Sequence, residues 1–343
     1  MSEPSLTYSV RDRSILLPFY KRFVVEPSLG LVPRRVDPNA ITHVGHLVNL
    51  AGAVALAIGV SRGVKSGWLF AVAAITLQLY NWCDNADGAH ARRTGQCSAM
   101  GELLDHGLDL LNVAYIAAMT AMAVGADATW TTAVMILVPG AAAATYWEQA
   151  ETGVFELGLL NQVESVTILS AALVASALLG TDVWGAVHVG PLTLRTLALV
   201  VVVAGTAASI LLTTARVARK GGRLLPVAPA FALGGLGFAA LRVGAAPASA
   251  VIAVVTGGLV FFGLRNLTLR VHGKKPVVER GVALVAASAG AVAAIALGGH
   301  ALGPTPIAAL AIAGALFFGA YTVGNAAASR KKVRALDAAR ARA

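Results

Sequence analysis

The sequence predicts an all-α integral membrane protein of about ten transmembrane helices, preceded by an amphipathic N-terminal segment that lies in the membrane interface. Three observations carry that prediction. Hydrophobic residues make up 57% of the 343 and charged residues only 13%, with a mean hydropathy of +0.72, outside the range of soluble domains. Ten apolar stretches approach the roughly 20 residues that a helix needs to cross a bilayer. A membrane barrel would show strands of about ten residues with alternating polarity, a pattern the sequence lacks, so a helical bundle is expected instead.

The elements follow in order. Residues 1–42 form a polar to amphipathic lead, in which SILLPFYKRFVVEP sets Ile15, Leu16, Leu17, Phe19, Phe23, Val24 and Val25 against Lys21 and Arg22. That mixture suits a helix lying in the interface, the alternative being an ordered cytoplasmic extension. No short apolar core with a small-residue cleavage site follows, so a removable signal peptide is not expected. Spans are expected near 43–61, 66–83, 103–123, 129–147, 163–180, 196–215, 224–241, 247–264, 281–299 and 305–325, and a basic tail at 329–343. Spans six to ten are rich in Ala, Gly and Val and nearly free of carboxylates. Small residues let helices approach closely, which serves plain packing, with a homodimer face as the alternative.

With both ends in the cytoplasm, 23 of the 27 Lys and Arg residues fall on the cytoplasmic side, and the excess of cations there fixes the orientation. The net charge of +10 then expresses topology and attraction to anionic headgroups. Nucleic acid is not expected as a partner of the tail SRKKVRALDAARARA. Cys83 and Cys97 both lie near the reducing side, so neither a disulfide nor a thiolate metal site is expected.

Against this apolar background stands CDNADGAHARRTGQCSAMGELLDHGLD, residues 83–109, with four aspartates and a glutamate. Asp84 and Asp87 are three apart at the end of span two, and Gly101, Asp105 and Asp109 form one stripe at the start of span three. Residues three or four apart share a helix face, so two carboxylate pairs can converge. Converging carboxylates beside a membrane repel and lose solvation, and something positive must sit among them. Oxygen ligands without Cys or a His cluster select hard cations, Mg²⁺ or Mn²⁺. Two such ions shared by four aspartates would make the clamp used in phosphoryl transfer. Gly88 and Gly101 would let a nucleotide approach the backbone. Arg92 offers a planar fork for phosphate, and Arg93 does the same or serves as a topology charge. The competing reading is a set of solvated loop charges.

These residues resemble a known family. DNADGAHAR with GELLDHGLD is similar to the CDP-alcohol phosphotransferase motif, with its eight positions all matched. DGAHARRTGQCSAMGELLDHGLDLLN, the lead DRSILLPFYKRFVVEP, the segment VDPNAITHVG and the downstream YWEQAETGVFELGLLNQVES resemble the choline/ethanolamine phosphotransferase branch over roughly residues 10–170. Ala89, His90 and Ser98-Ala99-Met100 depart from that branch.

The resemblance implies a catalytic six-helix core at 43–215, four additional helices at 216–328, and an integral membrane enzyme that works at the cytoplasmic face. A phospho-alcohol group would pass from a CDP-alcohol to the hydroxyl of a lipid such as diacylglycerol, with release of CMP. Asp84, Asp87, Asp105 and Asp109 would hold Mg²⁺ or Mn²⁺, Asp109 serving also as general base. Gly88, Ala91, Arg92 and Gly101 would shape the nucleotide site. Glu102 and His106, four apart, would orient Asp105 or pass a proton. Glu164 and Trp147 are placed near the substrate by family position, with Glu148 and Glu151 on the same side, while Asn81 would touch the headgroup and Trp82 would anchor the span end. One alternative uses CDP-diacylglycerol as donor and a soluble alcohol as acceptor. Another is a cation transporter, whose carboxylates would belong near the midplane between broken helices.

Overall fold

A computed structural model describes residues 9–64, 66–158, 161–243 and 248–299, together with Ala338. The span expected at 305–325 and, but for Ala338, the tail lie outside the described residues. In chain order the helices are α1 (Leu17–Tyr20), α2 (Glu26–Leu29), α3 (Pro38–Ser61), α4 (Gly67–Thr94), α5 (Ala99–Ala123), α6 (Ala128–Thr152), α7 (Gln162–Leu179), α8 (Val183–Ala186), α9 (Leu194–Arg219), α10 (Ala228–Val243), α11 (Ala248–Val271) and α12 (Val278–Gly299). A π-turn at Lys21–Val25 joins α1 to α2. The fold is all-α, with two short strand pairs, and each of the first nine expected spans is a helix.

Among the described residues, five helices are long and apolar enough to cross a membrane: α3, α6, α7, α9 and Ser249–Val271 within α11. The polar content of α4 and α5 explains why they fall short of that standard. The first carries Gln78, Asn81, Asp84 and Asp87, and the second Glu102, Asp105, His106 and Asp109.

Helix ends follow local chemistry. Asp37 caps α3 by accepting from the Asn39 amide at 2.9 Å, with Pro38 as the first helical residue. Helix α4 runs eleven residues past the expected end of its span and stops only at Gly95, whose φ of +72° favours glycine. Hydropathy marks where a helix leaves the apolar layer, whereas backbone hydrogen bonding continues until a residue breaks it. The aspartates of α4 are therefore helical.

The contacts divide the chain into two compact units. One comprises Val10–Asp127 and Glu156–Val202, and the other is built chiefly from Ala128–Phe155 and the chain from Val203 onward. The boundary expected at 215 thus falls within α9. In the first unit α3, α4, α5 and α7 close around Leu56, Phe70, Ala73, Leu77, Met119, Val166 and Leu173. The N-terminal segment packs Val25 and Leu29 against Ile41, Cys83 and Ala86. It leaves Ile15, Leu16, Phe19, Phe23 and Val24 exposed, the amphipathic pattern foreseen in the sequence. Trp82 Nε1 donates to Ser28 Oγ at 2.7 Å, and Arg93 donates to the carbonyls of Leu29 (2.6 Å) and Val32 (2.9 Å). In the second unit α6, α10, α11 and α12 enclose Ile136, Trp147, Leu233, Val255, Leu259 and Phe262.

Close helix approach in the first unit depends on absent side chains. A Cβ on Gly67, at the start of α4, would collide with the Ala177 carbonyl oxygen of α7. Gly205, within α9, faces open space. Alanine normally stabilises a helix by about 1 kcal/mol over glycine. Gly67→Ala should nevertheless lower the thermal midpoint of the detergent-solubilised protein by several degrees, as overpacking does, while Gly205→Ala should leave it unchanged or raised.

Candidate active site

The site is assembled by two helix ends and the four-residue connection between them. At the end of α4 the Gly95 and Gln96 amides both donate to the Ala91 carbonyl. Ser98 then caps α5, its hydroxyl accepting from the Gly101 amide at 3.0 Å. Ala91 is buried, and its role in the structure is this backbone one. A Cβ on Gly101 would be tight, standing 3.1 Å from Asn39 Oδ1 and 3.2 Å from Ser98 Oγ, side chains that would have to yield slightly. A Cβ on Gly88 would come 3.4 Å from the Arg92 guanidinium, which is otherwise exposed.

Three carboxylates meet between α4 and α5. One oxygen each of Asp84, Asp105 and Asp109 lies within 4.8 Å of the others. At that separation the Asp84 and Asp109 carboxylates repel as anions unless a proton or a cation lies between them. Tyr80, one turn before Asp84, donates its hydroxyl to Asp109 Oδ1 at 3.0 Å, and Gln162 Nε2 donates to that hydroxyl at 3.2 Å. Asp105 Oδ1 is buried with no hydrogen-bond partner. This set of oxygens, one of them buried and unmatched, fits a hard divalent cation.

Asp87 stands apart from the three. It is buried, but Oδ2 accepts from Thr42 Oγ1 at 2.5 Å and Oδ1 accepts from the Gly88 amide. Glu102 opens α5 with its charge close to Asp105, and His106 follows one helical turn later. Arg93 reaches the N-terminal segment and His90 Nδ1 (3.1 Å), which places its guanidinium on protein acceptors. Asn81 is fully buried beneath the carboxylates' turn.

Glu164 lies at the start of α7. Its Oε1 accepts from Ser14 Oγ (2.6 Å) and from the amides of Ile15 and Leu16 (both 2.7 Å), and its Oε2 accepts from the Asn161 amide at 3.1 Å. Asn161 and Glu164 thereby form a capping box. Glu148, Glu151 and Trp147 belong to the second unit. Glu148 is a forked acceptor for Arg216 at 2.8 and 2.6 Å, Glu151 pairs with Arg223 at 2.8 Å, and Trp147 is fully buried. Tyr80, Gln162 and Thr42 were missed from the sequence. The signal that could have found Tyr80 is its spacing, four residues before Asp84.

Two successive helices bring together a three-aspartate cluster, a candidate metal centre in an all-α protein with helices apolar enough to cross a membrane. Residues 35–192 match the family model for CDP-alcohol phosphatidyltransferase. The chain is similar to cholinephosphotransferase 1 of Gallus gallus, 30% identical over 211 residues, covering 59% of this chain and 62% of that protein. It is also similar to cholinephosphotransferase 1 of Danio rerio, 28% identical over 184 residues, covering 52% and 47%. The uncharacterized CDP-alcohol phosphatidyltransferase class-I family protein 3 of Dictyostelium discoideum is 32% identical over 184 residues, covering 52% and 46%. The chain thus spans between about half and three fifths of these relatives.

A cation held by the cluster should stabilise the fold. A ligand at a hundredfold excess over its Kd contributes about 2.7 kcal/mol. Chelator should therefore lower the thermal midpoint in detergent, and added Mg²⁺ or Mn²⁺ should restore it. Asp105→Asn should remove most of that shift, and Asp87→Asn less of it, since the Asp87 oxygens already have donors. A midpoint indifferent to chelator and metal alike would show that the cluster holds no ion.

Proposed function

We propose that the protein transfers a phospho-alcohol group from a CDP-alcohol, of CDP-choline or CDP-ethanolamine type, to the hydroxyl of a lipid acceptor such as diacylglycerol. The observation that carries this reading is the convergence of Asp84, Asp105 and Asp109 within 4.8 Å, inside the segment that matches the family. The lipid oxygen attacks the alcohol-bearing phosphorus. The bond from that phosphorus to the bridging oxygen breaks, and CMP departs with the electron pair. A bound Mg²⁺ or Mn²⁺ pair would neutralise the diphosphate and stabilise the charge that develops on the leaving oxygen.

The protein's own groups supply position and a proton acceptor. Asp84, Asp87 and Asp105 are assigned to the metal, and Gly88, Ala91, Arg92 and Gly101 to the nucleotide. Asp109 is assigned as the base, because it is the deepest of the α5 stripe and so the first carboxylate that a hydroxyl arriving from the bilayer meets. Tyr80 donates to its Oδ1 and holds the carboxylate in place. Glu102 and His106 are assigned to orienting Asp105. The N-terminal segment lies in the interface, and the site opens to the cytoplasm with both termini on that side.

Product analysis with labelled CDP-choline, CDP-ethanolamine and CDP-diacylglycerol tests the reading, with CMP and a diacyl phospholipid expected from the first two. Transfer from CDP-diacylglycerol to a soluble alcohol alone would overturn it. A positioned base contributes about 10²–10⁴-fold. Asp109→Asn should accordingly lower single-turnover transfer at least 10²-fold while CDP-alcohol binding persists, and retention of a tenth of the rate would remove Asp109 from that role.

The orientation has its own test in the native cysteines. Cys97 is exposed beside the site and Cys83 is buried. An impermeant thiol reagent should label the wild type in inverted vesicles and not in intact cells, and Cys97→Ser should abolish the labelling. Labelling of intact cells would reverse the topology.

A further inference from the structure

We propose that a buried polar patch formed by His46, Asn49 and Asn112, deeper in the first unit than the carboxylates, holds the ester group of the lipid acceptor next to its reacting hydroxyl. The proposal rests on the lipid-acceptor reading above and assigns the part of the acceptor that the patch recognises.

Helices α3 and α5 carry matched polar stripes. On α3 they are Thr42, His46 and Asn49, and on α5 Asp105, Asp109 and Asn112, each residue three or four positions from the last. At the carboxylate level Thr42 bonds Asp87. Deeper, Asn49 Nδ2 donates to Asn112 Oδ1 at 2.9 Å, and Asn112 Nδ2 donates to the Leu108 carbonyl at 3.1 Å. His46 lies at this level, its ring 5.7 Å from that of Tyr115.

Asn49 is fully buried and His46 is only 9% exposed, yet Asn49 Oδ1 and His46 Nδ1 have no hydrogen-bond partner. Burying an unmatched polar atom is costly, and an apolar surrounding gives it no relief. A purely structural asparagine pair has no need of a histidine whose ring nitrogen is left open beside it. The two open atoms ask for one donor, to Asn49 Oδ1, and for one acceptor, from His46 Nδ1–H. An acylglycerol with a free hydroxyl carries both on neighbouring carbons, in its O–H and its ester carbonyl.

The depth agrees with the chemistry. Asn112 lies three residues beyond Asp109, about 4.5 Å along the helix axis. A lipid whose hydroxyl has reached Asp109 therefore lays the adjacent ester at the level of His46. On the way in, the hydroxyl passes Asn49 Oδ1, which can accept from it. His46 is a positioning residue in this scheme, since it touches the acceptor away from the reacting atoms.

The test compares two acceptors in the purified wild type, a 1,2-diacylglycerol and its 1-acyl-2-alkyl ether analogue, which lacks only the carbonyl next to the hydroxyl-bearing carbon. The wild type should prefer the diester in kcat/KM by about tenfold, the worth of one buried hydrogen bond. His46→Phe should bring that preference to within about twofold by losing rate on the diester alone, with KM for the CDP-alcohol and the thermal midpoint unchanged. His46→Gln, which keeps a donor, should retain part of the preference and carries the test if the Phe variant fails to fold. Equal use of both acceptors by the wild type, or an undiminished preference in the variants, would overturn this proposal alone. No transfer to either acceptor would overturn the proposed function and this inference with it.

Discussion

Three carboxylates that share oxygens within 4.8 Å repel one another, and the local structure of the first unit is organised around holding them there. Two unit charges 4 Å apart interact by about 4 kcal/mol at the effective dielectric of a protein near its surface, and the cluster contains three such pairs. A divalent cation bound at the cluster would answer most of that repulsion. The protein answers the rest with hydrogen-bond donors placed in series. Tyr80 holds Asp109, Gln162 holds Tyr80, and Gln162 is the first residue of α7, whose start is fixed by the Asn161–Glu164 capping box. Glu164 in turn holds the backbone of Ile15 and Leu16. The amphipathic lead and the carboxylate cluster are thus ends of one chain of hydrogen bonds.

Much of this was legible in the sequence, because bilayer helices are written in long apolar runs and the aspartates interrupt those runs at fixed spacing. The helices of the first nine expected spans fall where hydropathy places them, and Asp84, Asp105 and Asp109 converge as their periodicity implies. Asp87 shows what periodicity leaves open. Three residues on a helix turn the chain by about 300° and raise it by about 4.5 Å, so a shared face is only approximate, and the neighbouring Thr42 on α3 decides where the fourth carboxylate points. That decision is long-range and has no local signature.

Glu164 is the converse case, since its local signature was present and unread. Asn-Gln-Val-Glu ahead of an apolar run is the pattern of a helix cap, and the carboxylate is engaged by backbone amides as a cap should be. Glu148 and Glu151 were expected on the same side of the membrane as the aspartates. Within the second unit they pair with Arg216, in the last turn of α9, and Arg223, four residues past its end, because a fully buried carboxylate requires a cation with matching geometry. A helix end rich in arginine serves orientation by its charge and internal packing by its fork, and composition alone reports only the first.

The bonds from Glu164 to Ser14, Ile15 and Leu16 close a loop of about 150 residues. At translation rates of about 5–20 residues per second, residue 164 is made roughly 8–30 s after its partners. Through that interval Val25 and Leu29 can already pack on Ile41, Cys83 and Ala86, but Ser14, Ile15 and Leu16 lack the carboxylate that will hold them, and the carboxylate pair on α4 is finished before the strand of bonds that will steady Asp109 exists. Assembly of the centre is therefore a late event in the life of the nascent chain, timed by the arrival of α7.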